Sequence, residues 1–146
     1  MFAFFDDKLF PKIFITFDHN ITNESWKQFT NKWVSYDIRE RPYTFIFDTQ
    51  GLGMSLMKYA WKMTVFISKL KKRKKLQNNV YLSKSIIICN NSYKRYLLEW
   101  IFYMQSPVAP VYIVKNNDMA TQLYDGLSLN KHFYPSSVTA YFPKDS

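Results

Sequence analysis

YTFIFDTQGLGMSLM, residues 43–57, reads as a strand, an Asp-led turn and the start of a helix. Its first five residues form a continuous apolar or β-forming run, the pattern of a strand covered on both faces. Asp48, Gly51 and Gly53 interrupt that run, and apolar positions then recur at helical spacing. Two later segments repeat the arrangement. Residues 85–89, SIIIC, are followed by Asn90-Asn91-Ser92 and a helix carrying Tyr93, Tyr96, Leu97, Trp100, Ile101 and Met104 at i, i+3, i+4 spacing. Residues 110–114, PVYIV, precede Asn116-Asn117-Asp118 and a short helix with Met119, Leu123 and Leu127. Repeated strand-turn-helix units build a parallel sheet whose strand ends gather on one edge, where ligands and partners of α/β folds bind.

Working outward, residues 2–5 and 12–17 are short aromatic and β-branched runs split by Asp6, Asp7 and Pro11, and read as a hairpin. Thr22 and Glu24 open a helix with Trp26, Phe29, Trp33 and Tyr36 on one face, ending before Pro42. In the long helix from about residue 55 to 75, Leu56, Ala60, Met63, Ile67 and Leu70 form an apolar stripe that Met57, Trp61, Val65 and Phe66 widen, all read as core. The order β-β-α-β-α-β-α-β-α predicts an α/β domain over residues 1–128. It should hold a single mixed, mostly parallel sheet of about five strands with four helices. Residues 129–146 read as a tail packed on the domain or extending from it.

A chain of 146 residues that is 47% hydrophobic is long enough to bury one core without staples. Its one cysteine, Cys89, lies in an apolar run and reads as a small buried hydrophobe, which suits a reducing compartment. The N-terminus MFAFFDDKLF carries acids where a signal peptide carries bases. Lys62 and Lys69 interrupt the longest apolar helix, so no stretch spans a bilayer. A cytoplasmic protein that is not transmembrane is expected.

The net charge of +9 is regional. Between Thr49 and Leu98 there are eleven Lys or Arg and no acid, whereas the rest holds nine bases and all eleven acids. The centre of this region is Lys69, Lys71, Lys72, Arg73, Lys74 and Lys75, at the end of the long helix. Such a run suits an anionic lipid surface, an acidic partner or a nucleic-acid backbone, and equally a solvated helix end that complements the macrodipole.

With parallel strands, Asp18, His19, Asn20, Asp48, Thr49, Gln50, Asn90, Asn91, Ser92, Asn116 and Asn117 fall on one polar edge. Helix capping alone accounts for many of these residue types. Gly51-Leu52-Gly53 lacks both the third glycine of a dinucleotide fingerprint and the Lys-Ser/Thr of a phosphate loop, and reads as a turn that needs positive φ. His132 has no companion at metal-ligand spacing. No catalytic residues, metal or cofactor are indicated, and the chain reads as no enzyme.

The element order, with FIFDTQGLG before a helix and SIIICNN and PVYIV as later strands, resembles the STAS domain family, the fold of anti-sigma factor antagonists. That family carries Asp-Ser-Ser-Gly-Leu at the start of the helix after the third strand, and its second serine is phosphorylated. One register sets Asp48-Thr49-Gln50-Gly51-Leu52 against the motif, with Gln50 at the phosphoacceptor position. The other leaves Ser55 as the nearest hydroxyl. The resemblance implies a protein-protein interaction module whose partner surface is Asp48, Thr49, Gln50, Gly51, Leu52 and Ser55, flanked by Asn90, Asn91 and Ser92. The segments FIFDTQGLG, LSKSIIICNN and PVAPVYIV are also similar to the Sec14-like (CRAL-TRIO) fold, which implies an apolar ligand or anionic lipid. Nucleic-acid binding through residues 69–75 is the third expectation.

Overall fold

The computed structural model describes residues 2–53, 56–128 and 138–144. The chain is an α/β protein with one mixed sheet of six strands and four helices. Strands β1 (Ala3–Leu9) and β2 (Lys12–Phe17) form the hairpin, and α1 (Asn23–Ser35) continues into a 3-10 turn, Tyr36–Arg39. Then come β3 (Tyr43–Asp48), α2 (Leu56–Gln77), β4 (Leu82–Ile88), α3 (Ser92–Met104), β5 (Val111–Val114), α4 (Asn117–Ser128) and β6 (Thr139–Tyr141). The strand count is six rather than five, because residues 139–141, read as tail, pair antiparallel with β5. Three residues are too short to display the alternation by which a strand is read.

The strands lie in sequence order, with β2 to β5 parallel and the two outer pairings antiparallel. Parallel neighbours are joined by right-handed crossovers, so three crossovers stepping the same way must place α1, α2 and α3 on one face of the sheet. The core follows this rule. Ile13, Ile15, Phe45, Phe47, Ile87 and Ile113 face one way and join Phe29 and Trp33 of α1 and Phe66 and Leu70 of α2. Ile46, Ile86, Tyr112 and Val114, the alternate strand positions, face the other way and meet Ala120 and Leu123 of α4.

Trp33 is the hub of the larger cluster. Its ring lies 4.9 Å from Phe45, 5.2 Å from Phe66, 5.5 Å from Phe47 and 5.8 Å from Phe29, centroid to centroid. Tilted and edge-on pairs of this kind add a little stabilisation beyond the area they bury.

A single helical layer leaves each helix an outer side, and two sequence expectations fail there. Met57, Trp61 and Val65, read as core, are 54%, 59% and 38% exposed. Tyr96, Trp100 and Met104 of the α3 repeat are likewise exposed. The apolar arc is wider than the stripe a helix can bury against one sheet.

A polar latch ties the turn after α1 to the sheet. Buried Asp37 accepts hydrogen bonds from the Tyr43 hydroxyl at 2.7 Å and the Tyr81 amide at 3.0 Å, joining the start of β3 to the entry of β4. Tyr36 donates to Asp7 at 3.2 Å, and Arg39 pairs with the same carboxylate oxygen. Burial first, then Asp37, holds the Tyr43 phenol far above its ordinary value of 10.0; burial and Asp7 do the same for Tyr36. The unfolded chain releases both protons near pH 10 while the fold retains them. Their stabilisation is therefore complete below that pH and is lost as pH rises above it. Urea midpoints should fall from about pH 10 upward, with a shallower fall in Tyr43→Phe. Asp37→Ala, which strands two donors, should cost about 3 kcal/mol at pH 7.

Candidate functional site

Because β2 to β5 are parallel, their C-terminal ends share one edge, and the turn after β3 sits at its middle. The Asp48 carboxylate accepts from the Gln50 amide at 3.0 Å, closing an Asx turn. Thr49 points inward and donates to the Ile88 carbonyl at 2.8 Å, while Leu52 is buried in the core. Gln50 and Gly51 are the exposed members of the turn. On the neighbouring strand Asn91 caps α3 by accepting from the Lys94 amide at 3.1 Å, and Asn90 and Ser92 are exposed beside it.

Lys94 links the two loops, donating from Nζ to the carbonyls of Thr49 at 2.9 Å and Gln50 at 3.3 Å. The structure therefore brings Gln50, Gly51, Asn90, Asn91 and Ser92 onto one ridge and keeps Thr49 and Leu52 beneath it. Ser55 and His132 lie outside the described residues.

Neither Gly51 nor Gly53 has positive φ, contrary to the sequence expectation. Gly51 is required by close approach instead: a Cβ there would collide with the backbone carbonyl of Phe17 at the end of β2. At Gly53 an added Cβ would stand 3.2 Å from the His19 Cβ, a contact that a small shift can relieve.

Behind the ridge, between the sheet and α1 to α3, is an apolar cavity of about 100 Å³ that is partly open to solvent. Trp26, Trp33, Phe47, Met63, Leu98 and Phe102 contribute to its wall, with Thr49 and Ser85 as polar members. Trp33 buries its indole Nε1–H without an acceptor among the described residues. Trp26, Trp33, Phe47 and Met63 read as ordinary core in the sequence, since helical and strand periodicity reports which way a side chain faces and not how completely the layers meet, whereas Leu98 and Phe102 fall outside the repeat read for α3.

The basic segment divides in space. Lys71, Lys72, Lys74 and Lys75 line a surface groove of about 460 Å³ together with Lys144, which follows β6. Lys71 is held there by Ser106 Oγ at 2.5 Å and the Lys144 carbonyl at 2.9 Å, and Lys74 reaches the Val108 carbonyl at 3.4 Å. Lys69 and Arg73 are not part of the groove wall. Arg73 lies close enough to Tyr43 to oppose the upward shift of its phenol. The contribution of Lys144 could not be read from a charge run some seventy residues earlier.

Among the described residues, no group of three or more His, Cys, Asp or Glu is placed to hold a metal ion. No described helix is long and apolar enough to cross a membrane. Comparison with family models, curated proteins and solved structures finds no match.

Gly51→Ala should destabilise the domain by about 2–3 kcal/mol, the range of a forced backbone or core shift, and Gly53→Ala by less than about 1 kcal/mol. Thermal melts of the two variants measure the difference directly.

Proposed function

We propose that this domain is a non-enzymatic binding module that encloses a small apolar ligand between its sheet and the layer formed by α1, α2 and α3. The cavity carries the reading. A void of about 100 Å³ is of the order of an engineered apolar cavity that accepts benzene, and well below what two acyl chains occupy. The ligand class is therefore one ring or one short alkyl chain. The Trp33 indole, a buried donor with no acceptor among the described residues, favours a ligand with a single hydrogen-bond acceptor such as an alcohol or carbonyl. The resemblance to the Sec14-like fold agrees with an apolar ligand, at reduced size.

A second reading, capture of a protein at the strand-end ridge in the manner of a STAS-like module, is favoured by Lys94. By bonding two carbonyls of the 49–50 turn it presents Gln50 and Gly51 rigidly beside Asn90, Asn91 and Ser92. Gln50 offers no hydroxyl to phosphorylate, so such a surface would be constitutive.

Trp26 and Trp33 both line the cavity, so ligand entry has an intrinsic fluorescent reporter. Benzene and 1-butanol should each shift tryptophan emission saturably and raise the melting temperature. Leu98→Phe, which fills part of the void, should abolish both effects while leaving the domain folded. Trp33→Phe should weaken butanol about fivefold relative to benzene, the worth of one neutral hydrogen bond. Saturable binding that Leu98→Phe leaves unchanged would place the ligand elsewhere.

A further inference from the structure

We propose that the outer face of α2 and α3 docks the domain on an anionic bilayer surface, a property independent of the apolar cavity. Met57, Trp61 and Val65 follow one another at i+4 along α2 and all stand in solvent. Trp100, Tyr103 and Met104 form the corresponding outward side of α3, with Tyr103 86% exposed. The helices lie side by side, since Ile101 of α3 packs against Ala60 and Ile67 of α2. Two tryptophans, a tyrosine and two methionines thus share one surface; the other large apolar side chains exposed among the described residues are Phe4, Leu9, Ile38, Leu76, Tyr96 and Phe142.

Charge decides the occupant. The same line along α2 continues from Val65 to Lys69 and Lys72, with Lys75 one turn further, and all three are exposed. None of the three has a hydrogen bond or ion pair among the described residues. No acid occurs between Thr49 and Leu98, and Glu99 is the acid that α3 contributes to this side. An apolar stripe of Met57, Trp61 and Val65 that runs into lysines on one helix, flanked by Trp100, Tyr103 and Met104 of the next, is the distribution of an interfacial surface. Rings seat at the headgroup boundary, and lysine stems extend along apolar surface while their ammonium groups meet anionic lipid. A protein partner would have to match both halves with its own acids; a bilayer containing phosphatidylserine supplies both at once.

The whole chain should co-float with vesicles of phosphatidylcholine containing phosphatidylserine at 0.1 M salt, and not with phosphatidylcholine alone. Trp61→Glu/Val65→Glu and Lys69→Glu/Lys72→Glu should each lower vesicle affinity by about tenfold or more. Thr16→Glu, on the sheet surface away from these helices, should leave affinity within about twofold. Circular dichroism and melting temperature establish that each variant is folded, which is expected because every substituted side chain is exposed. Lipids brominated in the acyl chain should quench tryptophan emission in the wild type but not in Trp61→Phe/Trp100→Phe, whose remaining tryptophans, buried Trp33 and half-buried Trp26, belong to α1.

Absence of co-flotation with the anionic vesicles would overturn the proposal. So would loss of binding on lysine reversal with no effect of Trp61→Glu/Val65→Glu and no quenching, which would mean a diffuse electrostatic contact. Sedimentation as a dimer that Trp61→Glu dissociates, without vesicle binding, would assign the face to a second copy of the chain and also overturn it.

Discussion

Three successive right-handed crossovers that step in the same direction govern most of what this chain can do. Each joins neighbouring parallel strands, so α1, α2 and α3 have no choice of side and form a layer one helix thick. The other face is left to α4 among the described elements, which is why its core cluster is the smaller one. A one-helix layer has an inner and an outer surface with different demands. The inner surface must meet a twisted sheet, and it does so with large rings centred on Trp33. The outer surface meets no further layer among the described residues, and Met57, Trp61, Val65, Trp100 and Tyr103 stand in solvent there.

The same constraint builds the strand-end edge. Parallel strands stop on one side, and each following helix needs a cap where its first amides lack partners. Thr22, Asn91 and Asn116 serve α1, α3 and α4 in this way, so much of the polar character of the edge belongs to helix initiation. The β3–α2 turn is different. It is pressed onto the end of β2 closely enough to exclude a Cβ at Gly51, and it is bonded to α3 through Lys94. Position 50 is thereby presented by contacts on both sides.

Strands with continuous apolar runs and helices with clear spacing were legible because a single local rule determines them. Residues 43–47 and 85–88 could face nothing but protein on both sides, and Thr22 and Asn91 cap helices as their residue types require. The features that escaped depend on how far apart two layers stand or on partners distant in sequence. Periodicity assigned Trp61 and Trp100 to the core because it registers apolar residues without knowing how many layers will cover them. A run of bases between 69 and 75 suggested one patch, whereas packing sorted Lys69 and Arg73 from the groove and added Lys144. Gly51 was legible as a necessary glycine, but for the wrong physical reason: proximity to Phe17 requires it, not a left-handed backbone.

A void of about 100 Å³ in such an aromatic interior costs on the order of 2 kcal/mol at the per-volume penalty measured for apolar cavities. That is a large part of the 5–15 kcal/mol by which domains are typically stable. Local repacking could remove it, since Leu98, Met63 and Phe102 are partly buried side chains at its wall and each adjoins solvent on one side. The wall mixes seven aromatic side chains with a larger number of aliphatic ones, and Met63 is its one thioether, the side chain best able to adapt to an irregular gap. The Trp33 indole adds to the cost of the void, because a buried donor that finds no acceptor among the described residues has given up its hydration without a replacement.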